Sequence, residues 1–375
     1  TWQETTTADF EDGTLNSVST ETISNSLVLY DLTEVDNTAD VGSWGDIAVD
    51  SSSNSHISYY DTTNGDLKYA SYTFTTGAYT LKTVDSSGNV GLYTSIAVDS
   101  NNNPHISYYD NTNFDLKYAS HTINVGWSTT TVNSVGTIGL YCSIALDSSD
   151  NPHISYYDSS GGGLRYSSYT ATKGWTTSAP DVVGDTGKYT SIALDSSNNP
   201  HISYYDETND DLRYTSHTVN VGWTLSTVDS TDDVGSFTSI ALDSSNNPHI
   251  GYQDYTNFDL KYASYTTNVG WSTSVGDANG ITGWNSCIAV DSLNNPHISY
   301  LRDLGTTANL KYSSFTIGVG WTTYTIETIG SASGNGPDVP TSITLDSSNN
   351  PYISYCDGIS FDLKFVSHTV GVGWS

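Results

Sequence analysis

One phrase, S-I-A-L-D-S-S-N-N-P-H-I-S-Y-Y-D with variations, is written seven times in the 375 residues of this chain. Its copies open at Ile47, Ile96, Ile144, Ile192, Ile240, Ile288 and Ile343, mostly at intervals of 48 or 49 residues, with a longer last interval. A fixed period of this size makes the fold a repeat architecture, in which no unit can bury its apolar face alone. It also sets a rule for reading function: a residue present in every copy is explained first by the scaffold.

The second copy displays the unit. Residues 93–99 alternate and end at Asn101-Asn102-Asn103-Pro104; residues 105–110, 116–122 and 127–132 form three further β-rich runs. Short β-branched and aromatic runs bounded by Asn, Gly, Pro and Asp are strands joined by hairpin turns. No segment has helical periodicity. Four antiparallel strands per repeat predict one propeller blade, and seven copies predict an all-β, seven-bladed β-propeller. Blades pack face to face, which accounts for Ile and Tyr on one strand parity and Ala, Ser and His on the other.

The ends of the chain test this. The last copy stops at Gly373-Trp374-Ser375, where its fourth strand should begin, while residues 30–42 align without gaps on residues 223–235, a fourth strand and its following turn. Residues 30–36 therefore complete the last blade, a circular closure that removes open sheet edges. The expected domains are an N-terminal extension, 1–29, and a propeller, 30–375. Trp2, Phe10, Leu15, Val18 and Ile23 of the extension are candidate contacts for docking or for adding a strand to a neighbouring subunit.

Eleven Lys and Arg against 41 Asp and Glu give a formal net charge of -30. That excludes nucleic acid, whose phosphates are held by clustered cations, and disfavours anionic membranes. No apolar run approaches bilayer length. A chain that starts at Thr1 without any Met is read as a mature, processed product. Its Ser/Thr/Asn/Tyr-rich composition suits an extracellular or cell-surface protein, and no N-x-S/T triplet is present. Cys142, Cys287 and Cys356 fit no metal spacing and are read as substituted small or core residues; if a bridge exists, Cys287 with Cys356 is its best candidate.

Residues that look like chemistry fall inside the repeat. His56, His105, His153, His201, His249 and His297 share one position. Radial symmetry sets equivalent residues in different blades, so they do not converge on one ion; each is expected to hold a turn within its own blade. Lys68, Lys117, Arg165, Arg213, Lys261, Lys311 and Lys364 share another position, with Asp66, Asp115, Asp211, Asp259 or the Y-Y-D carboxylate as expected partners. Arg302 breaks the pattern and is expected at the surface. The Asp ending each first strand, Asp50 to Asp346, is expected to fix the following hairpin. No nucleophile motif, phosphate loop or Ca²⁺ loop is present, so no catalytic, cofactor or metal residue is assigned; abundant acid leaves weak Ca²⁺ binding open. The variable second-to-third-strand turns carry Phe114, Tyr255, Phe258 and Phe361, candidate aromatics for stacking on sugar rings.

The phrase resembles the repeats of secreted bacterial and archaeal propellers in which S-I-A-x-D-S-x-x-N-P-H-I-S-Y-Y-D-x-x-x-x-D-L-K-Y-A recurs. More loosely it is similar to lectin and sialidase propellers, whose S-x-D-x-G-x-T-W box is missing, so their site residues do not carry over. The expectation is a non-enzymatic extracellular propeller with a structural or attachment role, self-assembling through residues 1–29 into a filament or surface array. The alternative is a lectin-like propeller bound to cell-surface glycans.

Overall fold

The computed structural model describes residues 22–23, 26–27, 33–38, 40–73, 75–330, 339–369 and 373–374. Blade 1 runs Val41–Val49, Ser55–Asp61, Asp66–Thr73 and Ala78–Asp85, paired antiparallel in that order. Blades 2 to 6 repeat this meander. First strands touch first strands around the whole ring, the seventh against the first, and enclose an axial channel. No helix occurs among the described residues.

The closing blade is built from both ends of the chain. Thr341–Leu345, Pro351–Cys356 and Leu363–Thr369 supply three strands. The fourth place is shared: Gly373–Trp374 pairs with His368 and Thr369, and Thr33–Asp36 continues along the same strand opposite Phe365 to Leu363. The expected closing strand is therefore present over Thr33–Asp36. Ahead of it, Thr22–Ile23 pairs with Ser26–Leu27 as a short ribbon. Trp2, Phe10, Leu15 and Val18 lie outside the described residues.

A carboxylate joins one blade to the next at six of the seven interfaces. Asp85, ending the fourth strand of blade 1, lies 2.5 Å from the Lys117 ammonium and accepts the Tyr108 hydroxyl at 2.8 Å, both from blade 2. Asp36 takes Lys68 and Tyr59 at 2.5 and 2.7 Å, Asp229 takes Lys261 and Tyr252 at 2.5 and 2.7 Å, and Asp277 takes Lys311 and Tyr300, both at 2.6 Å. Asp181 and Glu327 accept the Tyr204 and Tyr355 hydroxyls in the same way, at 2.8 and 2.6 Å, and are the more distant partners of Arg213 and Lys364, at 3.4 and 3.3 Å. The expected partners are corrected in part: for Lys68, Lys117, Lys261 and Lys311 the main bond crosses between blades, and any Y-Y-D carboxylate is a secondary neighbour, as with Lys117 and Asp110 at 3.9 Å, whereas Arg213 lies nearer the expected Asp206, at 3.0 Å, and Lys364 nearer the expected Asp357, at 2.9 Å. The exception explains itself. Blade 2 ends its fourth strand in Asn133, whose amide donates to Tyr156 at 3.0 Å, and Arg165 turns back to Asp158 of its own blade at 2.8 Å.

The His position is a second device. His56 sets Nδ1 2.6 Å from the Tyr69 hydroxyl and Nε2 3.5 Å from Asp50. Asp50 accepts the N–H groups of Ser52 and Asn54, each at 2.8 Å, so it fixes the hairpin as expected. Tyr69 then meets Trp127 of the next blade edge-on, with centroids 5.1 Å apart. All three cysteines are free. Arg302 is half-buried beside the turn at Gly280 rather than at the surface.

Two predictions follow from these contacts. Lys311→Ala strands the Asp277 carboxylate in the blade interface and is expected to cost about 3 kcal/mol of unfolding free energy, read from the denaturant midpoint. Lys82→Ala removes an exposed lysine and is expected to stay within about 0.5 kcal/mol.

The second concerns acid. Burial holds His56, His105, His153, His201, His249 and His297 below the ordinary imidazole value, against the pull of the Asp each one faces. The unfolded chain therefore takes up protons first as pH falls past about 6.5, and stability declines from there. For Asp36, Asp85, Asp229 and Asp277, burial pushes upward but is outweighed by the bonds from Lys and Tyr, so these carboxyls sit below their usual range. Their contribution is lost only as pH falls through that depressed range. The unfolding temperature is expected to drop between about pH 7 and 5 and more steeply below about 4; a flat profile between 7 and 5 would mean that the native imidazoles protonate freely.

Candidate functional site

The first strand of each regular blade is not a plain strand. Its pairing with the second strand slips twice, in blade 2 between Val90 and Leu92 and again between Leu92 and Ser95. The first slip is at Gly91, with φ of 110°, where a Cβ would stand 2.8 Å from the Leu67 Cα of the preceding blade. Only glycine allows that approach. The second slip swings the next aromatic residue out of the sheet. Trp44, Tyr93, Tyr141, Tyr189 and Phe237 all take left-handed backbone, with φ between 51 and 55°. Bulky side chains are rarely found there, and each such residue costs about 1–3 kcal/mol.

These five rings form a crescent around one mouth of the channel. Successive centroids are 4.2, 4.7, 4.7 and 4.5 Å apart, and Trp284 follows Phe237 at 5.3 Å. Each ring is half-buried. Blade 6 places Asn285 in the same left-handed conformation, with φ of 50°, and Pro340 lines the gap in blade 7. The crescent walls a cup of about 210 Å³. Below it, Asp46, Ser95, Ser143, Ser191, Ser239, Cys287 and Ser342 form a belt where the channel changes character. Ser95, Ser143, Ser191 and Ser239 accept the N–H of the next blade's isoleucine, as Ser143 does from Ile192 at 3.2 Å and Ser239 from Ile288 at 3.1 Å, while Ser342 donates to Asp46. Beyond the belt the channel widens to about 580 Å³, lined by Ile, Ala, Leu and Val of the same strands.

The rim departs from sevenfold regularity in one sector. Lys188 of blade 4 pairs with Glu207 and lies 3.5 Å from Asp185. Asp185 accepts the Tyr157 hydroxyl at 2.5 Å. The Tyr205 hydroxyl lies 2.9 Å from both Asp210 and Asp233. The Tyr141 ring stands between those of Tyr93 and Tyr189, 4.7 Å from each; burial pushes its hydroxyl up, while Lys188 and the neighbouring tyrosines act against that push. Among the described residues no group of three or more metal-ligating side chains occurs.

The turn aromatics singled out by sequence lie on this same side. Tyr255 and Phe258 are 5.6 Å apart, and Tyr255 reaches Trp284 at 6.2 Å, which joins them to the crescent. Phe114 stands on its own blade's turn, exposed, and Phe361 packs partly into the core. Sequence reading passed over the crescent because residues 93–99 look like an ordinary alternating strand. The signal is a glycine two places before an aromatic in five of the seven copies, at Gly42, Gly91, Gly139, Gly187 and Gly235. Asp46 was equally legible, since it stands where the phrase has Ser.

No protein-family model and no curated protein matches this sequence. Solved structures match its fold. The Aleuria aurantia lectin in complex with Fucα1-6GlcNAc aligns with a TM-score of 0.51 at 14% identity, over 75% of this chain and 93% of its own. An ulvan lyase of a polysaccharide lyase family, bound to -[GlcA(1-4)Rha3S]-, aligns with a TM-score of 0.58 at 12% identity, over 89% of this chain and 93% of its own. Puromycin hydrolase aligns with a TM-score of 0.57 at 10% identity, over 90% of this chain and 52% of its own. At these identities the likeness is one of fold. It nonetheless corrects the expectation of a non-enzyme: lyases and a hydrolase are built on this architecture. The physical reason is that a site assembled from several blades leaves no contiguous motif, so the missing motifs carried no weight.

One substitution separates scaffold from site. Tyr189→Asn gives blade 4 the residue that blade 6 already carries in this conformation, and Asn tolerates left-handed backbone. It is expected to cost less than about 2 kcal/mol in chemical denaturation. A much larger loss would make the crescent a packing element.

Proposed function

We propose that this propeller binds a carbohydrate in the aromatic cup at the channel mouth. The crescent supports this reading, because packing gives no reason for it. Five bulky residues are held in a costly conformation, and two of the seven blades do without the aromatic. Strain kept where the fold does not need it points to a ligand. Sugar rings present apolar C–H faces to aromatic rings and hydroxyls to polar groups. The cup offers both: the rings as wall, and Thr94, Thr190 and Thr238 with the serine belt beneath them. The lectin fold neighbour, crystallised with a fucosyl disaccharide, is consistent with a saccharide ligand. Glycan-array screening followed by calorimetry tests the reading. Tyr189→Asn and Tyr141→Asn are each expected to weaken the best ligand by about tenfold, or 1.4 kcal/mol. Wild-type protein silent on neutral, acidic and amino glycans alike would overturn the proposal.

A second reading, cleavage of the bound glycan, is favoured by one observation. The Tyr141 ring lines the cup between those of Tyr93 and Tyr189, 4.7 Å from each, and a neutral phenol there can hand a proton to a leaving oxygen. Mass spectrometry of incubated oligosaccharides checks it: chain shortening that Tyr141→Phe abolishes supports cleavage, and intact chains rule it out for those ligands.

A further inference from the structure

Among the described residues the wall of the cup holds one charged side chain, and it is an acid. Asp46 stands where five blades have Ser95, Ser143, Ser191, Ser239 and Ser342 and one has Cys287. One carboxylate oxygen accepts the Ile47 N–H at 2.9 Å and the Ser342 hydroxyl at 2.6 Å; the other accepts the Ile96 N–H at 2.8 Å and the Ser95 hydroxyl at 2.9 Å. All four partners are neutral, and no cation pairs with Asp46 among the described residues. Burial pushes the Asp46 carboxyl up, and the four hydrogen bonds act against that push; two of them come from backbone N–H groups that require an acceptor on each oxygen, which suits the ionised form.

The scaffold does not need that charge. Elsewhere a serine receives the next blade's isoleucine N–H, at 3.3 Å for Ile144 on Ser95 and 3.2 Å for Ile240 on Ser191. An enclosed anion without a counter-charge is costly, yet the fold keeps one here, open to the cup. The surroundings complete a pattern. Aromatic rings attract cations through their negative faces. At the rim, Asp185, Glu207, Asp210 and Asp233 outnumber Lys188. An aromatic wall over an uncompensated carboxylate is a seat for an ammonium group.

We propose that the saccharide taken by this cup carries a free primary amine: a 2-amino-2-deoxy sugar rather than its N-acetyl form or a uronate. The proposal rests on the carbohydrate reading above and narrows it to a substrate class. The acidic rim disfavours uronates, and an N-acetyl group offers no charge to Asp46.

Calorimetry on the full chain compares three probes: a glucosamine tetramer, an N-acetylglucosamine tetramer and a uronate oligomer. It is run at about pH 6, below the range of an amino group near 7.7–8, so that the amine is charged. Glucosamine is expected to bind about tenfold tighter than its acetylated form, with the uronate weakest. Asp46→Ser restores the residue of the other blades and so keeps the belt; it is expected to erase the preference by weakening glucosamine alone. Acetylated or uronate oligomers binding as tightly as glucosamine would overturn the inference and leave carbohydrate binding standing. So would a preference that survives Asp46→Ser. Absence of binding for all three would remove both.

Discussion

The carboxylate carried by six of the seven fourth strands is the contact on which the ring depends. It is buried, it belongs to one blade, and both of its strong partners belong to the next. A tyrosine hydroxyl and a lysine ammonium converge on it, and the ammonium lies over the same tyrosine ring, 5.5 Å from its centroid for Lys117 on Tyr108. Such a cluster is directional. A hydrophobic blade face alone would tolerate sliding, whereas a buried charge tolerates no loss of its partner. Asn133 displays the constraint by breaking it. With the carboxylate gone, Arg165 bonds inside its own blade, and the uncharged amide satisfies Tyr156.

Because the outer strands lock the blades, the inner strands are free to be irregular. Each first strand has one neighbour within its sheet and lies along the axis on its other edge. That edge is closed by the hydroxyl belt rather than by a fifth strand, so its N–H groups are satisfied one blade at a time. Two slips per strand then cost little pairing and turn an aromatic toward the channel mouth. Bulges of this kind re-aim side chains at functional rims. The scaffold and the site thus use different strands of the same repeat, and the clamp on the outer strands permits the strain on the inner one.

Much of this was legible before any coordinates. The period, the four runs per repeat and the ungapped match of residues 30–42 to 223–235 define the blades and their closure, because hairpin chemistry is local. The His and Asp of the phrase were read correctly as turn holders for the same reason: His56, Tyr69 and Asp50 lie within one blade. The Lys position was read half correctly. Arg165, Arg213 and Lys364 do lie nearest the Y-Y-D carboxylate of their own blade, but for Lys68, Lys117 and Lys261 the partner lies 32 residues upstream in another blade, as Asp85 does for Lys117, and a pairing across a packed face leaves no local signature. The same limit hid the crescent, whose aromatics look like ordinary strand residues until the register slips are seen.

Radial position decides what a repeated residue means. Equivalent histidines sit on second strands and stay apart, each bonded to a tyrosine of its own blade, as His56 is to Tyr69 and His105 to Tyr118. The same reasoning fails at the axis. There equivalent residues are neighbours, with Tyr93, Tyr141 and Tyr189 only 4.7 Å apart in sequence of blades. A residue written into most copies is therefore scaffold when it faces the next blade and part of a shared surface when it faces the channel. At that surface one substitution acts on the whole ring, because every blade meets every other across the same small space. Asp46 is such a substitution: one carboxylate in a belt of hydroxyls gives the entire cup a sign. A charge placed at the outer rim of one blade would have had no comparable reach, since water would screen it from the rest.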